Sequence, residues 1–173
     1  MARKPRTRAG APGDWTTDDW STPPEVFDAI RTYFGVWTFD LDPCCRAATA
    51  KAPVYYDLVG EGMNGLELPW FGQVFVNMPY SDPMPWIIKA IEEVRAGNAQ
   101  RAILLLPADV STAWWRVVAS HAYQYIWPGR IKFLGPDGKP VGSPKGGSIV
   151  AVFDEFAVTE VPRMARPWIQ LWQ

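Results

Sequence analysis

The segment RAILLLP (residues 101–107) is apolar at five successive positions from Ala102 to Leu106. In a strand, consecutive side chains point to opposite faces, so such a run cannot leave either face in water. QVFV (73–76) is a second apolar run, and a helix-like segment follows each of the two. Strands of this kind alternating with helices predict an α/β sandwich, with a mostly parallel sheet covered on both faces.

The remaining elements can be placed around that core. Ser21 or Thr22 reads as an N-cap, and Pro23 and Pro24 suit a first helical turn. Val26, Ile30 and Phe34 recur at four-residue spacing, giving a helix over about 23–34. VWTFDL (36–41) reads as a buried strand ending in DPCC, and 53–58 as a shorter one before a glycine-bearing loop. Asp82 is placed to cap a helix with Pro83 in its first turn and an apolar stripe of Trp86, Ile87, Ala90, Ile91 and Val94. Ser111 is placed to cap a helix carrying Trp114, Trp115 and Val118. After YQYIW, the segments RIKFL and SIVAVF are expected to pair as a C-terminal antiparallel hairpin across the loop 135–147.

Length and charge narrow the class. At 173 residues the chain suits one core, expected over 20–160, with a flexible basic arm over 1–19 and a tail over 161–173. No apolar run reaches the roughly 18 residues of a membrane span, and no signal-like stretch opens the sequence; the expectation is a cytoplasmic protein without a membrane partner. The cysteines are the adjacent pair Cys44 and Cys45, and His121 is the sole histidine, so no metal site is expected. The net charge of −1 conceals segregation: residues 14–61 carry nine acids against Arg31, Arg46 and Lys51, whereas 101–147 carry six bases against Asp109 and Asp137. The basic parts suit a polyanion and the acidic stretch suits a cationic ligand. Arg130 and Lys132 alternate along the chain and Lys139 and Lys145 follow in the loop, a candidate phosphate-binding face for a nucleic acid whose competing reading is a solvated hairpin.

Chemistry concentrates where QVFV ends. Asn77-Met78-Pro79-Tyr80 stands at the carboxyl end of a predicted strand, where open α/β sheets bind ligands, and DPCC stands at another. Asn77 offers a side-chain carbonyl. Met78, restricted by Pro79 to extended backbone, offers a main-chain carbonyl in a fixed direction, and Tyr80 offers a ring. Two acceptors and a ring fit a planar group bearing an NH2. Such an amine is a poor nucleophile, and two acceptors can stabilise the charge it develops only in the transition state.

NMPY resembles the [DNS]-P-P-[YFW] motif of amino-methyltransferases. With DDWSTPPEVFDAI, FDLDPCC…AK, NGL…W and VFVNMPYSDPMPWIIKAIEE in this order, the chain is similar to the phage-type, Dam-like DNA N6-adenine methyltransferases over roughly residues 18–153. The resemblance implies a Rossmann-like class I methyltransferase sandwich, S-adenosylmethionine as cofactor, and double-stranded DNA as partner with the adenine flipped out of the stack. It implies that Asn77, Met78, Pro79 and Tyr80 are catalytic. It further implies that Trp20, Thr22, Pro23, Asp42, Pro43, Cys44 and Asn64 meet the cofactor, with Asp40 competing with Asp42. Trp20 or Tyr80 would cap the pocket. Loops 57–69 and 134–147 would carry any sequence preference. The pattern departs from the family in Met78, which replaces a proline, and in DPCCRAATAK, which holds no glycine. The rival expectations are another planar amine or amide as substrate, in RNA or in protein glutamine, and a nucleic-acid-binding protein that keeps the fold without turnover. Oligomeric state is open, with a monomer favoured.

Overall fold

The computed structural model describes residues 16–159 and the backbone of Ile169–Gln170. Its centre is a seven-stranded sheet. The strands are β1 (Leu41–Asp42), β2 (Val54–Tyr55), β3 (Gly72–Val76), β4 (Ala99–Pro107), β5 (Tyr123–Ile126), β8 (Ser148–Asp154) and β9 (Ile169–Gln170), in the spatial order β2-β1-β3-β4-β8-β5-β9. Six strands run in one direction and β8 alone runs against them, between β4 and β5. RAILLLP lies in β4, flanked by β3 and β8, with Ile103 to Leu106 inaccessible to solvent.

The helices divide between the two faces. α1 (Pro24–Tyr33) buries Val26 and Ile30 on the face that carries Phe39, Phe75, Ile103, Leu105, Val150 and Val152. On the opposite face, α3 (Met84–Arg95) and α4 (Ala113–His121) pack with Val74, Val76, Leu104, Leu106, Ile149 and Ala151, and α5 (Glu155–Thr159) closes one end. The short α2 (Leu58–Glu61) follows β2 and is capped by Asp57, whose side chain accepts from Gly60 N–H.

The C-terminal hairpin differs from the expected one. RIKFL does not pair with SIVAVF: β6 (Phe133–Leu134) turns back on β7 (Pro140–Gly142) within the expected loop, and the SIVAVF segment enters the main sheet as β8. The reason is burial. Residues 148–153 are buried on both faces, which a two-stranded ribbon cannot achieve and a sheet centre can. The small hairpin instead covers the α1 face at its rim, with Ile131 and Phe133 buried.

Helix starts also differ. Pro23, not Ser21 or Thr22, is the N-cap of α1, and no side chain caps it, because Ser21 is drawn into a backbone bridge with Leu134. α3 begins after Pro83 without a cap from Asp82. Thr112 caps α4 through Trp115 N–H, while Ser111 bonds Asp109. The strand expected over 36–41 pairs only at Leu41–Asp42. Of the expected arm, Thr16 to Asp19 form a hydrogen-bonded turn with a capping box, and the rest lies outside the described residues, as does the tail apart from Ile169–Gln170.

Candidate functional site

The carboxyl ends of the parallel strands gather at one rim of the sheet, and a cleft of about 240 Å³ opens there. Three segments build it. The end of β1 and the loop after it contribute Asp42, Pro43 and Cys44, the loop after β3 contributes Asn77 and Pro79, and the stretch before α1 contributes Trp20 and Thr22. Asp42 and Asn77, 35 positions apart, meet here because β1 and β3 are neighbours in the sheet.

Asn77 has a defined orientation. Its Nδ2 donates to the Trp20 carbonyl at 2.9 Å, and since a carbonyl can only accept, the amide nitrogen must lie on that side. Oδ1 is thereby turned the other way, buried and without a partner among the described residues. Two hydroxyls nearby in the fold share that condition: Thr22 Oγ1 and the Tyr80 phenol. A buried polar atom without a partner typically costs about 1–3 kcal/mol, so three of them around one strand end mark a place built for something other than stability. Burial also pushes the Tyr80 phenol well above its usual range, leaving it a neutral hydroxyl. The Tyr80 ring meets Phe133 of the hairpin edge-on at 6.0 Å, and Trp20 stacks on the same Phe133 at 5.8 Å. Met78 turns its side chain into the core on the helical face, so only its main chain belongs to the rim.

Asp42 organises the β1 loop. Its two carboxylate oxygens accept from Cys44 N–H at 3.3 Å and Lys51 N–H at 3.0 Å, closing the loop without a glycine turn. Burial pushes its pKa up to about 6, against the pull of those two N–H bonds and of the Lys51 charge. The same burial raises the Cys44 thiol, with Asp42 beside it adding to the effect. Neither cysteine is activated as a thiolate. Gly65 presses on this loop so closely that a Cβ there would sit 2.0 Å from the Pro43 carbonyl oxygen. Trp70 Nε1 donates to Gly65 O at 2.7 Å and fixes that approach.

Of the residues named from sequence, Trp20, Thr22, Asp42, Pro43, Cys44, Asn77 and Pro79 line the cleft, and Met78 and Tyr80 do not. Asp40 is not at the cleft. It lies before β1, where its carboxylate accepts from Gln73 N–H at 2.7 Å beneath Gly72, whose φ of +61° and missing Cβ make room for it. Asp40 precedes the two-residue β1 and Asp42 ends it, and ligands gather beyond the carboxyl end. Asn64 spends its side chain within its own turn, donating to Glu67 and accepting from Leu66 N–H, and Pro23 caps α1. Arg130 and Lys132 stay exposed while Ile131 and Phe133 turn inward, so the alternation holds although only 133–134 are strand. Arg130 reaches the Lys145 carbonyl, and Lys139 lies 3.8 Å from Asp137.

Other lining residues escaped the sequence reading. Asp18 accepts from Ser81 N–H at 3.1 Å, and Asp19 pairs with Arg46 at 2.9 Å. The segment 16–20 is thereby tied to both strand-end loops across the cleft. Lys51 and Tyr56 also line it. Burial lowers the Lys51 pKa, an effect that Asp42 opposes. Asp18 and Asp19 open the block DDWSTPPEVFDAI, which was the available signal for them, whereas no local motif marks Arg46, Lys51 or Tyr56 as cleft residues. Among the described residues no helix is long and apolar enough to cross a membrane, and no group of His, Cys, Asp and Glu could hold a metal ion.

Comparison with known proteins gives this arrangement a family. Residues 13–166 match the sequence family described as DNA N-6-adenine-methyltransferase (Dam). The chain is 32% identical over 168 residues to a DNA N-6-adenine-methyltransferase of Escherichia phage T1, covering 86% of this chain and 67% of that protein. It is also 32% identical over 120 residues to a DNA N-6-adenine-methyltransferase of Haemophilus phage HP1, covering 68% of this chain and 66% of the relative. The chain thus spans about two thirds of the length of each of these relatives. With a mostly parallel sheet, an acceptor and an aromatic ring at one strand end, and a match over nearly its whole length, the chain belongs to the DNA N-6-adenine-methyltransferase (Dam) family.

Proposed function

We propose that this protein transfers a methyl group from S-adenosylmethionine to the N6 amine of adenine in double-stranded DNA, with the base flipped into the rim beside Asn77. The observation that carries the reading is the Asn77 side chain, held by the Trp20 carbonyl so that a buried, unpartnered oxygen points away from it. On this reading residues 20–160 form a Rossmann-like class I methyltransferase unit, acting on phage or prophage DNA in the cytoplasm of a bacterial host.

The cleft residues fit the cofactor. It is a cation at sulfur, and Asp18 and Asp42 give the cleft an acidic lining, while Arg46 and Lys51 offer partners for a carboxylate. Trp20, Thr22, Pro43 and Cys44 supply the walls, with the unpartnered Thr22 hydroxyl available to a polar group of the cofactor. Pro23 and Asn64 would act only by shaping the backbone beside the cleft, and Asp40 is replaced by Asp42. S-Adenosylmethionine supplies an electrophilic methyl group that needs no strong general base.

The chain's own task is to make the amine nucleophilic. Asn77 Oδ1 accepts one N6–H and the Met78 carbonyl the other, favouring a lone pair localised on nitrogen as it attacks the methyl carbon and the carbon–sulfur bond breaks. The surplus proton then leaves the methylated amine for solvent. Pro79 keeps the Met78 carbonyl extended. Tyr80 stacks on the base once the ring of Phe133 gives way, a contribution of about 1–3 kcal/mol in comparable stacks. Arg130, Lys132, Lys139 and Lys145 lie on or next to the hairpin whose inner residue touches Trp20 and Tyr80, so phosphates held there would lie next to the base site.

The test is transfer of labelled methyl from S-adenosylmethionine to unmethylated duplex DNA, beside single-stranded RNA and a glutamine-bearing protein, with identification of the modified product. N6-methyladenine in duplex DNA is the expected result. Label in RNA or protein alone would move the substrate class, and absence of any transfer would leave a binding protein on this fold.

A further inference from the structure

A fourth buried side chain shares the condition of Thr22, Asn77 and Tyr80. Ser148, the first residue of β8, is 1% exposed, and its hydroxyl has no partner among the described residues. Its place follows from register. β8 pairs with β4 so that Val150 opposes Leu105 and Ser148 opposes Pro107, at the same end of the sheet as Asn77. Side chains alternate, so Ser148 lies on the face of Val150 and Val152, both of which belong to the α1 cluster. Asn77 lies on that face as well, two residues beyond Phe75 of the same cluster.

From strand spacing, the Cα atoms of Asn77 and Ser148 stand roughly 12 Å apart, two strands over and two residues further along. That separation matches a purine ring with a hydrogen bond of about 3 Å at either side. Tyr80 and the hairpin residue Phe133 pack together on this same face. A sheet interior offers a serine hydroxyl nothing unless a polar group arrives, and the ring nitrogens of a base are acceptors that the amine-binding acceptors cannot serve.

Resting on the reading that adenine is the substrate, we infer that the Ser148 hydroxyl is a second polar contact to the flipped base. It donates to a ring nitrogen while Asn77 and the Met78 carbonyl hold the exocyclic amine. The hairpin covers this contact, and Phe133 must shift for the base to reach it. Ser148 thus selects a heterocycle bearing both an amine and a ring acceptor, which a primary amide such as glutamine lacks.

The experiment compares wild-type protein with Ser148→Ala in three measurements: methyl transfer to unmethylated duplex DNA, binding of S-adenosylmethionine, and thermal melting. The inference expects kcat/KM to fall roughly tenfold or more, as for loss of a hydrogen bond in the transition state, with cofactor affinity unchanged and no drop in melting temperature. A melting temperature that holds or rises is the distinguishing sign, because deleting a hydroxyl with no partner removes a cost. Equal transfer by both proteins would overturn the inference and leave the function standing. Loss of activity together with a clear drop in melting temperature would also overturn it, since the hydroxyl would then serve a structural partner. Failure of the wild-type protein to methylate adenine in DNA would remove the underlying reading and the inference with it.

Discussion

The two faces of the sheet are built to different standards. On the face of α3 and α4 the buried polar groups are paired. Glu93 is held by Lys89 and Asn98, Gln124 donates to the Val118 and Ala122 carbonyls, and Trp70 donates to Gly65. On the face of α1 and the hairpin, Thr22, Asn77, Tyr80 and Ser148 each bury an atom without a partner among the described residues. Every one of them lies at the carboxyl-end rim. Both faces hold a buried core, but the α1 face gives up stability at four atoms of its rim, and on the proposed reading Thr22, Asn77 and Ser148 offer three of them to a ligand.

Substitutions on the two faces should separate along that line. Leu104→Ala, at an inaccessible site on the helical face, is expected to lower unfolding free energy by about 2–5 kcal/mol in a denaturant titration. Activity per folded molecule should be largely kept; loss of activity at full folding would break the division. On the other face, Tyr80→Ala should cut methyl transfer by roughly ten- to a hundredfold while cofactor binding persists, and unchanged transfer would refute the stacking role. Tyr80→Phe is the sharper variant. It keeps the ring and deletes only the unpartnered hydroxyl, so it should gain about 1 kcal/mol in stability and keep most of its activity.

Asp42 should set two pH dependences of opposite sign. Its folded pKa of about 6 lies above the ordinary value of 3.8, so the folded state holds the proton more tightly than the unfolded chain. Its contribution to stability without cofactor therefore improves as pH falls from about 6 toward about 4. Affinity for the cationic cofactor should do the reverse, since the carboxylate is lost below about pH 6. Isothermal titration across this range checks the second sign and thermal melts check the first. Asp42→Asn should flatten both, and a cofactor affinity that does not weaken at low pH would remove Asp42 from the site.

The division between faces was only partly legible in the sequence. Apolar runs such as RAILLLP and QVFV, and the stripe from Trp86 to Val94, announce the sheet and α3 because burial leaves a local trace. NMPY announces the rim because a strand that ends in an amide, a proline and an aromatic ring has few structural reasons to do so. The partner of SIVAVF was misread because pairing is a property of the whole sheet: proximity in sequence favours RIKFL, whereas burial of both faces favours a place between β4 and β5. Caps at Ser21 and Asp82 failed because the bridge to Leu134 and the two prolines set those helix starts instead. Asp18, Arg46 and Lys51 reach the cleft through tertiary contacts, which no spacing encodes. The four unpartnered atoms were invisible for the same reason, since a missing partner is a fact about packing alone.

The most direct test of the account is Asn77→Ala, assayed with labelled S-adenosylmethionine on unmethylated duplex DNA beside a measurement of cofactor binding. If the oxygen that Trp20 turns into the rim accepts from the target amine, transfer should fall by roughly 10²–10³, the range typical of losing one preorganised transition-state contact, while the cofactor still binds. N6-methyladenine formed at the wild-type rate by the Asn77→Ala protein would contradict the account at its centre.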